Sequence, residues 1–205
     1  MRRTCRTSAA FTLVELLVVI LIISVLAGFL VPVVSEARRR VWRARCLNNL
    51  RNIGQFAVAY AEDNRGFIPV ASGGDPRAYQ SFQLLVNEML NARDPELYVC
   101  PVSKDSEAQP PYDGAVFELT EDNVSYAWRN KPLRVRGSAY SKTPLGCDDS
   151  IADPREGIEE NHLGGMNVLY LDTSVRWVSL RELNGDAAFA EEALRGWLAE
   201  HNLGR

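Results

Sequence analysis

Apolar residues fill one continuous stretch of the chain, from residue 11 to residue 34. Its 24 residues include only three with polar side chains, Thr12, Glu15 and Ser24. An α-helix of this length rises about 36 Å, which is enough to cross the hydrocarbon core of a bilayer. The pattern predicts a transmembrane helix at residues 11–34, with a kink at Pro32 because proline removes a backbone hydrogen bond.

The helical pattern continues through residues 35–65, which are rich in good helix formers. Apolar residues recur there every three or four positions, at Val41, Leu47, Leu50, Ile53 and Ala57. One long helix is therefore predicted, and Gly66 is expected to supply the left-handed cap at its end.

Residues 66–205 change character, because Gly, Pro, Ser and Asp separate short periodic segments. Their number suits one small domain, and the mixture of patterns predicts an α+β head with antiparallel strands. The predicted elements are a helix at 79–90, short strands at 97–100 and 124–128, an exposed loop at 104–114, a hairpin of strands 166–171 and 174–179, and a helix at 186–202.

Glu15 is the one acidic side chain in the apolar stretch. A carboxylate within a membrane helix costs a few kcal/mol near the helix centre and less near an end, so it requires a compensating partner. A functional role with a positive partner is predicted; the alternative is a side chain that merely reaches the membrane interface.

The basic leader at residues 1–10, followed by Phe-Thr-Leu-Val-Glu from Phe11 to Glu15, resembles the signal of type IV pilins and pseudopilins. The resemblance implies that a prepilin peptidase cuts between Ala10 and Phe11 and methylates the new amino group. It also implies that Glu15 meets that amine on a neighbouring subunit during assembly. The family usually has glycine before the cut, where this chain has alanine.

Two further segments are similar to a pilin-like family abundant in planctomycetes and related bacteria. Residues 44–54 resemble the segment that follows its membrane helix, and His162, nine residues and Asp172 resemble its carboxy-terminal His-x9-Asp-Gly motif. Thr173 stands where that motif has glycine. A two-residue type I′ turn needs positive φ, which a β-branched residue resists, so a longer turn or another turn type is expected.

His162 and Asp172 raise the question of a metal or catalytic site. One histidine and one aspartate at the ends of a hairpin more often brace a loop by hydrogen bonding, and that structural role is predicted. No CxxC pair, phosphate-binding glycine loop or nucleophile elbow occurs in the sequence. The chain is therefore expected not to be an enzyme, and to need no cofactor.

Four cysteines are present, and Cys5 would leave with the leader. In an oxidising periplasm Cys100 and Cys147 are predicted to pair, since both are placed in loops of the head. Cys46 lies on the long helix and is expected to be a buried thiol.

An acidic cluster follows Cys147 and holds the calcium candidates Asp148, Asp149 and Asp153. Some secretion pseudopilins bind calcium in such loops, because Ca²⁺ prefers hard oxygen ligands. The spacing lacks the order of an EF-hand loop, and a solvated acidic loop is the favoured interpretation.

Charge is divided along the chain: residues 1–51 carry nine arginines against two glutamates, and the remainder is acidic. The arginines at 38–45 would lie beside the membrane, where lipid phosphates, acidic heads of neighbouring subunits or solvent could surround them. Nucleic-acid binding is not expected of a chain with net charge −3.

Together these features predict a leader at 1–10, a membrane helix at 11–34, its periplasmic continuation at 35–65 and a head at 66–205. The expected function is that of a pilin or pseudopilin, with the prepilin peptidase, other pilin subunits, the inner-membrane assembly platform and lipid as partners. The head would lie in the periplasm before assembly and in a filament afterwards. The alternatives are a monomeric membrane-anchored binding or sensing domain and, third, an enzyme using His162 and Asp172.

Overall fold

The structure is a computed structural model, and it describes residues 13–74, 76–111, 116–135, 143–148, 150–153, 157–159, 165–179, 199 and 203–204. Its first element is one long helix. This helix, α1, spans Leu13–Asp63 without a break and continues through Pro32. The prediction of a single helix across the membrane segment and its continuation is confirmed. By its internal contacts the chain divides into two compact units, Met1–Arg40 and Val41–Arg205.

The second half of α1 supplies one wall of the head core. Its buried side chains share one helix face, at Cys46, Leu50, Ile53, Ala57 and Ala61. Their spacing of three or four residues is that of a helix packed along one side. The predicted apolar stripe is correct at its last three positions, whereas Val41 is 65% exposed.

The end of α1 differs from the prediction in one residue. The Gly66 N–H donates to the Ala61 carbonyl at 2.7 Å, which is the outer hydrogen bond of a Schellman motif. In that motif the left-handed position is the preceding residue, and Arg65 occupies it with φ +57°. Gly66 follows with φ +83°, so two successive residues adopt the left-handed conformation.

Helix α2 spans Ala78–Glu88, close to the predicted 79–90, and buries Phe82, Leu85 and Val86. Short 3₁₀ helices follow at Leu90–Ala92, Pro95–Tyr98 and Glu121–Asn123. The prediction of a strand at 97–100 is therefore wrong, because its first two residues belong to a 3₁₀ helix. Asp94 accepts a hydrogen bond from the Glu96 N–H at 3.1 Å, and Pro95 is preset for a helical first position, so the segment begins as a helical turn.

In the part of the head that the structure describes there are two antiparallel sheets. The strands are β1 (Ala127–Arg129), β2 (Pro144–Cys147), β3 (Ser150–Asp153), β4 (Gly157–Glu159), β5 (Gly165–Tyr170), β6 (Val175–Ser179) and β7 (Leu203–Gly204). The main sheet has the order β6-β5-β2-β1-β7, and β3 pairs with β4 separately. The α+β fold class and the β5–β6 hairpin are confirmed. Of the strand predicted at 124–128 only the end lies in the sheet.

The predicted loop at 104–114 contains no helix or strand in the part that the structure describes, residues 104–111. The helix predicted at 186–202 lies outside the described residues, apart from Ala199, which is helical.

An aromatic cluster joins α2 to the sheet. The rings of Phe82 and Trp128 are 5.1 Å apart between centroids, and the Trp128 indole N–H donates to the Pro69 carbonyl at 2.8 Å. On the other side α1 approaches β5 closely: a Cβ added at Gly54 would lie 2.7 Å from Leu169 Cδ1. The glycine permits this close contact between helix and strand.

Candidate functional site

The apolar part of α1, residues 13–34, is the first candidate site. Its large apolar side chains are between 45% and 78% exposed, and none of its most apolar stretch is buried. Within the described residues it belongs to the one helix that is long and apolar enough to cross a membrane, by length and composition. The surface is therefore available to lipid or to other helices.

Glu15 lies in the first turn of α1 as the structure describes it, and its residue is exposed. Ala10 and Phe11, the predicted processing residues, lie outside the described residues.

Ser24 shows how a polar side chain is accommodated in the same stretch. Its hydroxyl donates to the Ile20 carbonyl at 2.7 Å, one turn earlier in the helix. The serine hydroxyl is thus satisfied within its own helix, in the usual manner of serine in membrane helices.

The arginines that follow the apolar stretch have several partners in the structure. Arg40 Nε lies 3.3 Å from Glu36 Oε1, and Arg39 Nε lies 3.7 Å from Glu36 Oε2. These pairs are more than half exposed, so each contributes little stability. Glu36 was not among the predicted site residues, although its spacing of three and four from the arginines is that of helix ion pairs.

Two further arginines belong to the head. The Arg43 guanidinium lies over the Trp177 ring, 4.5 Å from its centroid, and Arg45 pairs with Glu96. These contacts assign Arg43 and Arg45 a role in head packing. Binding of lipid phosphates by the basic cluster stays a prediction.

Asp172 lies in the turn between β5 and β6, where it accepts hydrogen bonds at Oδ1 from the Ser174 hydroxyl (2.6 Å) and the Ser174 N–H (3.0 Å). The hydroxyl is the main cause that lowers the pKa of Asp172 below its usual value. Its carboxylate braces the turn. His162, its partner in the predicted motif, lies outside the described residues.

The turn itself is longer than the two-residue type, as expected. The Tyr170 N–H donates to the Ser174 carbonyl, and the Tyr170 carbonyl accepts from the Thr173 N–H, both at 2.9 Å. This is the pairing of a three-residue loop that ends in a G1 bulge, whose third residue is left-handed. Thr173 holds that position with φ +64°.

Asp148 is fully buried and faces Asn167 of β5. The Asn167 backbone N–H donates to Asp148 Oδ1 at 2.7 Å, and its side-chain amide donates to Oδ2. The side-chain amide also donates to the Arg43 carbonyl at 3.3 Å, so this cluster links α1, β5 and the residue that follows β2. Asn167 was missed by the sequence analysis, although a lone polar residue in an apolar strand indicates a buried partner.

The other calcium candidates give no site in the part of the chain that the structure describes. Asp149 lies outside it, and Asp153 ends β3. Among the described residues no group of three or more ligating side chains occurs. Calcium binding stays a prediction.

The cysteines differ from the prediction in their pairing, whereas the expected buried thiol at Cys46 is confirmed. Cys46, Cys100 and Cys147 are buried thiols, and no disulfide joins any two of them in the structure. The neighbour of Cys100 is Cys46, with the two sulfur atoms 2.8 Å apart. The predicted Cys100–Cys147 pair is not formed, because Cys100 packs with Cys46 in the main core cluster, whereas Cys147 of β2 packs in a second cluster.

Comparison with known proteins gives one match. Residues 5–31 match the family described as "Prokaryotic N-terminal methylation motif". No curated protein and no solved structure matches the chain at a significant level. The match does not reach the His162 and Asp172 motif, so that resemblance stays a prediction.

The matched residues include Ala10 and Phe11, the predicted processing positions, as well as Glu15 and the first part of α1. Proteins with this motif are structural and not catalytic. The methylation motif and the apolar helix fit anchoring in a membrane. Together the motif at residues 5–31 and the helix that follows support a type IV pilin-like protein with a prepilin-type amino terminus.

Proposed function

We propose that the protein is a structural subunit of a type IV pilus or of a type II secretion-like filament, cut between Ala10 and Phe11 by prepilin peptidase. The observation that carries the proposal is the methylation motif at residues 5–31 leading into a helix whose apolar side chains are exposed. The head would lie in the periplasm, and the assembly platform of the inner membrane would receive the subunit.

The exposed apolar surface of residues 13–34 has different neighbours in the membrane and in a filament. Lipid covers residues 13–34 while the subunit is in the membrane. Outside the membrane, exposure of the same surface to water would cost a free energy of about 25 cal/mol per Å² of apolar area. Packing against the equivalent helices of neighbouring subunits removes that cost, and it supports a filament with the apolar helices in its centre.

Glu15 would set the axial position of each subunit. Its carboxylate, costly in an apolar surrounding, pairs in this proposal with the methylated amino group of Phe11 on a neighbour. A subunit displaced along the filament axis would lose the pair, so one register is favoured over the others.

The first experiment measures the mass of the amino-terminal peptide of protein isolated from membranes. A peptide that begins at methylated Phe11 supports processing by prepilin peptidase. A peptide that retains residues 1–10 contradicts the proposal and favours a plain membrane anchor.

Substitution of Glu15 tests assembly directly. We expect Glu15→Ala to lower filament yield by roughly tenfold or more, because a few kcal/mol of intramembrane pairing are lost and about 1.4 kcal/mol corresponds to tenfold. Membrane insertion should be unchanged, since the apolar length is kept.

Ser24→Ala is the matched control for this experiment. It also removes a polar group from the apolar stretch, but one that is bonded within its own helix, so normal filaments are expected. Filament yield is measured in sheared fractions, with the membrane fraction as reference. A normal yield from Glu15→Ala would disprove the register role.

A further inference from the structure

Two thiols from distant parts of the chain meet in the head core. Cys46 lies on the buried face of α1, and Cys100 follows the 3₁₀ helix Pro95–Tyr98. They are 0% and 1% exposed, and their sulfur atoms are 2.8 Å apart. Sulfur atoms that are not bonded ordinarily stay further apart, and a disulfide bond measures about 2.05 Å. We propose that Cys46 and Cys100 form a disulfide bond that joins α1 to the segment at residues 94–103.

The backbone of Cys100 is fixed from both sides. Its N–H donates to Ser125 Oγ at 2.9 Å, and its carbonyl accepts from the Ser103 hydroxyl at 2.9 Å. The two serine hydroxyls lie 2.7 Å from each other, which closes the network. Disulfides form only within a narrow range of geometries, and these bonds fix the backbone of Cys100 in the head without help from the sulfur atoms.

Contacts on either side of Cys46 hold the same segment against α1. Arg45 pairs with Glu96, and the Asn49 side-chain amide donates to the Glu96 carbonyl at 3.0 Å and to the Tyr126 hydroxyl at 3.2 Å. Residues before and after Cys46 therefore bind the segment that carries Cys100. The two sulfur atoms meet because the surrounding chain is already docked.

Cys147 has a different environment although it is equally buried. It pairs with Ala127 and Val168 in the sheet and packs in a second apolar cluster with Met166 and Leu203. Cys46 and Cys100 both belong to the main cluster. Cys147 is therefore the matched control: a buried cysteine of the same head, expected to keep its thiol.

The reaction is a thiol–disulfide exchange with a disulfide of an oxidoreductase or of a small molecule such as oxidised glutathione. One cysteine thiolate attacks the acceptor disulfide and displaces one of its sulfur atoms as a thiol. The second thiolate then attacks the mixed disulfide, which forms the Cys46–Cys100 bond and releases the second acceptor thiol. The two cysteines lose two electrons and two protons, and the acceptor gains them.

The surroundings of the pair determine when this exchange takes place. Hydrogen bonding with Cys100, followed by burial, raises the pKa of Cys46 far above its usual value. The reduced pair in the folded head thus holds little thiolate, and burial keeps outside thiols from the sulfur atoms, so exchange is slow in either direction. The bond is expected to form while the head folds and to resist reductants afterwards. Only the source of the oxidant depends on the proposed periplasmic position.

Peptide mapping tests the bond, because trypsin places the three cysteines on separate peptides, at residues 46–51, 94–104 and 143–155. The full chain in detergent is mapped without reductant, once as isolated from membranes and once after reduction, unfolding and refolding with oxidised glutathione. We expect peptide 46–51 joined to 94–104, with 143–155 alkylated alone.

An unlinked pair after refolding, or a bond from either cysteine to Cys147, would overturn the proposal. A chain that is reduced in membranes but linked after refolding would support the disulfide and contradict the periplasmic position of the head. Comparison of the membrane sample with the refolded sample therefore distinguishes failure of the disulfide proposal from failure of the proposed periplasmic position.

Thermal unfolding separates a disulfide from simple packing. The oxidised wild-type chain and Cys147→Ala should each unfold roughly 5 to 15 °C above their reduced forms, whereas Cys46→Ala and Cys100→Ala should show no such difference. Loss of packing alone would lower the unfolding temperature of the variants equally under both conditions. Equal unfolding temperatures of oxidised and reduced wild type would also contradict the proposal.

Discussion

At the scale of single residues, Thr173 shows a conflict between side chain and backbone. It holds φ +64° at the third position of the β5–β6 turn, a left-handed conformation that costs a residue with a side chain about 1 to 2 kcal/mol. Asp172 compensates by binding Ser174 through both hydroxyl and N–H. The hairpin is thus stabilised by the residue beside the strained one.

Thr173→Gly is expected to stabilise the head by roughly 0.5 to 1 kcal/mol, since the relief of strain exceeds the extra entropy of glycine in the unfolded chain. The unfolding temperature in detergent should rise by about 1 to 4 °C. Thr173→Ala is the matched control and should gain less, because it keeps a Cβ at positive φ. A lower unfolding temperature for the glycine variant would show that the turn is not strained.

At the scale of secondary structure, close approaches between strands depend on positions without a side chain. A Cβ at Gly146 of β2 would lie 2.7 Å from the Ala127 carbonyl oxygen and 3.0 Å from Trp128 Cε3. The oxygen belongs to the neighbouring strand, so it cannot rotate away as a side chain can. β1 and β2 therefore pair at this distance only with glycine at that position.

Gly146→Ala is expected to destabilise the head by about 1 to 3 kcal/mol, the cost of overpacking a filled core. Gly74→Ala is the control, because an added Cβ there meets nothing within 4 Å. Thermal unfolding of both variants in detergent measures the difference. Similar unfolding temperatures for the two variants would show that β1 and β2 shift without cost.

The elements that local pattern determines were predictable from sequence. The apolar period of three and four indicated the buried positions Leu50, Ile53 and Ala57, and alternation indicated the β5–β6 hairpin. The segment at 97–100 was mistaken for a strand because its residues favour extended structure, while the Asp-Pro pair before it starts a helical turn.

The contacts that the sequence analysis missed join residues far apart in the chain. Cys46 and Cys100 are separated by 54 positions, and Asp148 and Asn167 by 19. Their meeting depends on how α1, β2 and β5 pack, and no local period encodes that arrangement. The amino-terminal site was predictable for the opposite reason, since its motif is continuous in the sequence.

At the scale of the whole molecule, the boundary between the two compact units lies within α1. The head unit begins at Val41, and its buried helix positions begin at Cys46. The head thus takes its helical wall from the same element that carries the apolar segment. The predicted division at residue 65 separates the helix from the head domain, and the buried positions of α1 before residue 65 pack in the head core.

Truncation tests the position of this boundary. A chain of residues 41–205 should fold without detergent and keep its unfolding temperature within a few degrees, because it retains every buried position of α1. A chain of residues 54–205 loses Cys46, Leu50 and Ile53. It should be destabilised by several kcal/mol, at about 2 to 5 kcal/mol for each large core side chain removed. Circular dichroism and thermal melts compare the two, and an unfolded 41–205 chain would place the boundary elsewhere.

The unbroken helix from Leu13 to Asp63 has a mechanical consequence for a filament of such subunits. A pulling force along the filament would be transmitted to each head through the hydrogen-bonded backbone of α1, because the apolar segment and the head share this helix. Detaching a head would require pulling Leu50 and Ile53 out of their core. A bond between Cys46 and Cys100 would join α1 covalently to the head at the first buried position of that helix.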